Sequence, residues 1–202
     1  MNFQQLFGNI DIYLFDQLLK GRIPPSTSIL DAGCGAGRNL IYFLTYHFEV
    51  FAVDSDPESI EHVRMLASKL SPNLHPQNFL IADVVEMPLP NERFDLVISS
   101  AVLHFARNQQ HFDGMLDEMW RVLKPGGMLF VRVASSIGIE LLIKPTGRGR
   151  FLLPDGTERF LVDELMLKAA GERLGARKLD PLKTTNVENL RCMTTWVVEK
   201  AA

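Results

Sequence analysis

Three carboxylates and three alternating glycines are the residues of this chain best placed to do chemistry. Asp31 precedes Gly33, Gly35 and Gly37 in the run Ile29-Leu30-Asp31-Ala32-Gly33-Cys34-Gly35-Ala36-Gly37-Arg38-Asn39. Asp54 closes the apolar run Val50-Phe51-Ala52-Val53, and Asp83 follows Ile81-Ala82. An apolar run, then an acid, then glycines is how a buried strand ends in a tight turn with exposed backbone. A ligand lies against such a turn at the carboxyl edge of a parallel sheet.

The glycine spacing selects among cofactors. A dinucleotide fingerprint needs G-x-G-x-x-G, whereas Arg38 stands where its last glycine would be. No Gly-Lys-Ser/Thr phosphate loop occurs. Asp31 would repel a phosphate at close range and attract positive charge. S-adenosylmethionine carries a sulfonium and an ammonium and no phosphate, which meets that demand. Asp54 stands at the distance from the glycines where an acid grips a ribose diol.

Four segments in order resemble the class I S-adenosylmethionine-dependent methyltransferases. They are Leu30–Gly37, Val53-Asp54-Ser55-Asp56-Pro57, Ile81-Ala82-Asp83-Val84 with Phe94–Ser99, and Leu123-Lys124-Pro125-Gly126-Gly127-Met128-Leu129. The resemblance spans roughly residues 28–135. It implies that Asp31 and Gly33 sit near the methionine end of the cofactor, with Gly35, Gly37 and Ser99 in the same site. It further implies that Asp54 holds the ribose, Ser55 lies against adenine, and Asp83 with the Val84 backbone reads the adenine edge. The tail segment Arg191 with Met193-Thr194-Thr195-Trp196 faintly resembles the tellurite-resistance type of small methyltransferases.

Methyl transfer from a sulfonium needs nucleophile, carbon and sulfur held in line and dry, and a base only if the nucleophile arrives protonated. His104, just past the Phe94–Ser99 strand, is the candidate base; its alternative is a loop histidine bonding backbone. Arg148 and Arg150, flanked by Gly147 and Gly149, are the candidate contacts to an anionic acceptor on a closing lid; a solvated loop is the alternative. His47, His62, His75 and His111 lack metal-ligand spacing, so no metal site is expected. Cys34 is explained by the turn and not read as a nucleophile.

What must position these residues is an alternation of strand and helix, hence a doubly wound α/β sheet. Strands are expected at Ser28–Cys34, up to Asp54, Asn78–Val84, Phe94–Ser99 and Met128–Ala134. Helices are expected over Arg38–His47, after an Asp56 N-cap, over Asn108–Leu123 and over Val162–Leu174, the last closed by Gly175. A final strand, Arg191–Glu199, would by the resemblance run antiparallel and complete a seven-stranded Rossmann-like sheet with helices on both faces. Residues 1–202 read as one domain. Within it, residues 1–25 form a helical segment, 28–135 the cofactor-binding core and 136–160 an insertion or lid. The stripe Phe3, Leu6, Phe7, Ile10, Leu14 and Leu18 is read as a helix packed on the sheet, with a flap carrying Tyr13 inward as the alternative.

Composition narrows the partners. Net charge of −3 and a pI near 6.0 give no basic footprint for nucleic acid or anionic membrane. Two cysteines cannot build a disulfide framework, and the first residues lack a signal-peptide layout, so a cytoplasmic protein is expected. Neither the Asn/Asp-Pro-Pro-Tyr/Phe signature nor the Pro-Cys pair of nucleic-acid methylating enzymes is present. The expectation is therefore a methyltransferase acting on O, N, S or a related atom of a small molecule. A non-catalytic cofactor-sensing module and an NAD-linked oxidoreductase are the rival readings; the second lacks a Tyr-x-x-x-Lys pair. Oligomeric state and acceptor identity are left open.

Overall fold

The computed structural model describes residues 3–201. Its frame is five parallel strands: β1 (Ser28–Ala32), β2 (Glu49–Asp54), β3 (Phe79–Ile81), β4 (Phe94–Ser100) and β5 (Leu123–Ser135). Beyond residues 136–160 come β9 (Ala176–Lys178), β10 (Lys183–Val187) and β11 (Arg191–Lys200). The order across the sheet is β10-β11-β5-β4-β1-β2-β3. β11 runs antiparallel to β5, and β9 and β10 share its outer edge as two pieces of one interrupted row. The sheet thus has the expected seven rows.

Side-chain alternation sorts the helices onto two faces. Leu30, Ala32, Val97, Leu129, Val131 and Val133 point to one side, under α5 (Gln109–Val122) and α6 (Glu164–Leu174). Ile29, Leu96, Ile98, Met128 and Phe130 point to the other, under α2 (Ile12–Leu19), α3 (Ile41–Thr45) and α4 (Pro57–Leu70). By the same alternation Ser100 and Arg132 belong to the α2 face. That placement becomes important at the rim.

The helix starts follow their caps. Asp56 accepts from the Glu58 and Ser59 amides and Pro57 opens α4; Asn108 accepts from His111 N at 2.8 Å; Asp163 accepts from Met166 N at 2.7 Å. Gly175, at φ 64°, ends α6 in the left-handed conformation.

Several segments differ from the sequence reading: β5 begins at Leu123 rather than Met128, β9 and β10 were not expected, and three others changed in length or broke. The helix expected from Arg38 shrinks to α3, because Gly37-Arg38-Asn39-Leu40 are spent turning out of the glycine loop. The third strand is only three residues long, since it pairs with β2 alone at the sheet edge. The N-terminal stripe breaks into α1 (Phe3–Phe7) and α2 at Gly8, which sits at φ 57°. Leu14 is fully buried, and Phe7 stacks on Tyr42 at 5.2 Å. Tyr13 shares a 2.8 Å hydrogen bond with Thr185 on β10.

The segment 136–160 contains its own antiparallel meander, β6 (Lys144–Gly147), β7 (Arg150–Leu152) and β8 (Glu158–Phe160). Phe160 anchors it: the ring is fully buried and stacks on Phe112 of α5 at 5.2 Å. No described helix is long and apolar enough to cross a membrane.

Candidate active site

The glycine turn is pinned to the neighbouring strand. Gly33 N and Cys34 N both donate to Val53 O, at 2.8 and 3.1 Å. Gly35 N donates to Asp54 Oδ2 at 2.8 Å, while Asp54 Oδ1 accepts from Asp56 N at 3.0 Å. Gly33, at φ 81°, has no room for a side chain. A Cβ there would lie 2.5 Å from Val102 Cγ2, in the segment following β4. At Gly35 nothing lies within 4 Å of that position. The turn therefore closes against β4 on one side and opens on the other.

The opening is a cavity of about 510 Å³, within the size range of small-ligand sites. Gly33, Gly35, Asp54, Ser55, Asp83 and Val84 all line it. Asp31 and Gly37 stand behind it: Asp31 is 1% exposed, and Gly37 is buried against Val63. Ser99 is fully buried, does not line the opening, and its Oγ has no partner among the described residues.

Asp31 sets the electrostatics. Its Oδ2 is buried without a hydrogen-bond partner. Burial pushes its carboxyl up to about 7, against the pull of Arg38 and with added repulsion from Asp54. Burial likewise pushes the Cys34 thiol up, out of the reactive range. A cation beside Asp31 would stabilise its ionised form. Asp54 and Asp83 add two more carboxylates, while Arg38 is tied back to Ser100 Oγ at 2.8 Å. The donor set suits a cationic, phosphate-free nucleoside with a diol to bind.

His104 lies elsewhere. Together with Arg132, Asp155, Arg159 and Arg191 it lines a second cavity of about 270 Å³. Its ring is 7% exposed, its Nδ1 has no partner, and burial with the nearby Arg159 holds its pKa down at about 4. The two cavities adjoin at Ala101, a non-glycine residue at φ 67° whose amide donates to Arg132 O at 2.8 Å. A left-handed alanine costs about 1 kcal/mol. Here it turns the chain so that Val102 meets Gly33. Arg148 is exposed at the β6–β7 turn, and Arg150 is bound to Glu158 Oε1 and Ala106 O, each at 2.7 Å. Neither lines either cavity.

Sequence reasoning missed a clamp at the rim. Asp11, 2% exposed, takes Arg132 at 2.7 Å and Arg38 at 3.4 Å, and its amide donates to Asn39 Oδ1 at 3.0 Å. It also missed His111 and Met115, which face the first cavity from α5, and Phe105 beside them. The i, i+4 spacing of His111 and Met115 is the signal that could have found them. Among the described residues no group of three or more His, Cys, Asp or Glu is arranged to hold a metal ion.

Residues 30–131 match the model of a methyltransferase-domain family, just over half of the chain. The chain belongs to the class I S-adenosylmethionine-dependent methyltransferases. Their cofactor is S-adenosylmethionine, and the carboxylates and open glycine turn of this methyltransferase domain fit it. The chain is 32% identical over 149 residues to a malonyl-[acyl-carrier protein] O-methyltransferase of Herminiimonas arsenicoxydans, covering 70% of the chain and 51% of that protein. It is 33% identical over 113 residues to a tRNA (carboxymethyluridine(34)-5-O)-methyltransferase of Arabidopsis thaliana, covering 55% and 25%. It spans about half the length of the first curated relatives it matches. Among solved structures, the Burkholderia thailandensis 1,6-didemethyltoxoflavin-N1-methyltransferase aligns with a TM-score of 0.70 at 19% identity, over 94% of this chain and 76% of that one. At that identity the likeness concerns the fold alone.

Proposed function

We propose that the chain moves a methyl group from S-adenosylmethionine to an O, N, S or related atom of a small-molecule acceptor by in-line displacement. The observation that carries this reading is the meeting of two cavities at Ala101, one lined by carboxylates and the other by arginines and His104. When bound, the cofactor supplies a methyl on sulfonium sulfur; the acceptor's lone pair forms the new bond and the carbon–sulfur pair returns to sulfur. Asp54, Ser55, Asp83 and Val84 would hold the nucleoside, with Asp31 and the Gly33 turn toward its charged end. His104 is neutral near pH 7, so its part is to orient the acceptor through Nδ1. At about 4, its pKa makes it a weak proton acceptor.

A small acceptor is supported by the second cavity, which lies below the ~300–1,000 Å³ usual for drug-sized ligands. The net charge of −3 also disfavours an RNA surface. The acceptors named for the curated relatives, a malonyl group on a carrier protein and a tRNA uridine, define the arms of the test. Release of S-adenosylhomocysteine should be assayed with pooled small metabolites, with acyl-carrier protein and with tRNA. Turnover confined to the metabolite pool, and lost in Asp54→Ala, is expected. Turnover on tRNA or carrier protein alone, or cofactor binding without turnover on any pool, overturns the reading.

A further inference from the structure

The second cavity has an unbalanced charge. Three guanidiniums, those of Arg132, Arg159 and Arg191, border it. Arg132 is answered by Asp11 at 2.7 Å and Arg191 by Asp155 at 3.8 Å. Arg159 has no ion pair among the described residues. One of its nitrogens donates to Glu158 O at 2.9 Å, and its guanidinium carbon lies 5.1 Å from the centre of the Phe105 ring. Phe105 in turn borders the first cavity. A cation held on an aromatic face at the junction of two cavities keeps its outward fork unused.

His104 gives a second, independent observation. It borders the cavity, is more than nine-tenths buried, and its Nδ1 has no partner among the described residues. Buried polar atoms of this kind call for a ligand atom able to hydrogen-bond. A cationic ligand would meet Arg159 head on. A neutral one would cover that charge without answering it. Asp11, shared with Arg38, and Asp155 offset Arg132 and Arg191 in part, so Arg159 is the cation left without an ion pair, and a single carboxylate is the smallest anion that answers it.

We propose that the second cavity binds the methyl acceptor through a carboxylate on a small molecule, with Arg159 as the charge-matching residue and His104 Nδ1 as the second contact. This rests on the methyl-transfer reading above, and it moves the anion contact from Arg148 and Arg150 to Arg159 on β8 of the same segment. Arg150 is already consumed by Glu158 and Ala106 O, whereas Arg159 faces the cavity.

The test uses the full chain saturated with S-adenosylhomocysteine and ligand-observed NMR over matched sets. Each set holds a small carboxylic acid with the primary amide, amine and phosphate monoester of the same skeleton. Acids should bind and their amides and amines should not. Arg159→Gln should weaken the acids by about tenfold or more, as expected for a lost charge-assisted bond. Arg159→Lys should recover part of that loss, and affinity for S-adenosylhomocysteine should stay unchanged in both variants. Binding of amides or amines as tight as the acids, a preference for phosphate esters, acid binding indifferent to Arg159→Gln, or no acid bound at all would each overturn the proposal. Failure of the wild-type chain to bind S-adenosylhomocysteine would strike the cofactor reading beneath it instead.

Discussion

The amide of Gly35 donates to Oδ2 of Asp54 at 2.8 Å, so the turn after β1 and the end of β2 form one unit. The carboxylate that organises the turn also lines the cavity it opens. Replacing Asp54 by alanine removes both services at once. Affinity for S-adenosylhomocysteine should fall by about tenfold to a hundredfold, the worth of one hydrogen bond to a charged group. Titration calorimetry on Asp54→Ala and Asp54→Asn checks this, with the asparagine variant expected to lie between alanine and wild type. Equal affinities for all three would remove Asp54 from the site.

Asp31 links stability to pH. Its carboxyl is raised to about 7 in the fold from an ordinary 3.8, so between those values the folded chain holds a proton that the unfolded chain has released. The stability it contributes is complete below about pH 4 and is lost as pH rises through about 7. The ligand-free protein should therefore be less stable at pH 8 than at pH 5 from this group, by about 3 kcal/mol at most. Asp31→Asn should flatten that slope, raise the melting temperature at pH 8 and weaken S-adenosylhomocysteine binding. Denaturant titrations at both pH values measure it. A steeper slope in the variant would contradict the assignment.

Gly33 should tolerate no side chain. Gly33→Ala would meet Val102 methyls at 2.5 Å at a backbone angle of φ 81°. The expected cost is about 2–4 kcal/mol, combining overpacking with left-handed strain. Pairing it with Val102→Ala should recover the packing part and leave the strain. Urea denaturation of the single and double variants supplies the coupling. Simple additivity would mean that the two residues do not touch.

Asp11 holds the N-terminal segment against the rim. Its side chain is fully buried between two arginines, and Asp11→Ala would leave Arg132 without a carboxylate. About 3 kcal/mol of destabilisation is expected, the cost of breaking a buried pair from one side. Chemical denaturation measures it, and an unchanged midpoint would show the clamp to be dispensable.

Much of this was legible in the chain because the signals were local. The Asp56-Pro57-Glu58 cap, the Gly175 stop and the alternation of strand and helix are each read within a few residues, and they marked the five parallel strands and their helices; the seven-row count came from the family resemblance. The glycine turn and Asp54 were legible for the same reason, each lying at the end of a strand, while Asp83 and Val84, just past β3, were singled out by the family resemblance. Asp11 was not, because its partners Arg38 and Arg132 are distant in sequence and meet it only through the fold. Arg150 and Arg159 illustrate the same limit. Nothing in Arg148-Gly149-Arg150 says that a β-meander will turn Arg150 onto Glu158 and present Arg159 to the cavity. The third strand was overestimated because Ala82 and Asp83 keep an extended pattern after the ladder has ended.

One titration tests the central claim most directly. Purified protein should be titrated in parallel with S-adenosylmethionine and with NAD by calorimetry. Asp54 and Asp83 facing the cleft, with Asp31 buried behind it, require saturable one-to-one binding of the sulfonium nucleoside and none of the pyrophosphate. Tight binding of NAD with no heat from S-adenosylmethionine would contradict the account.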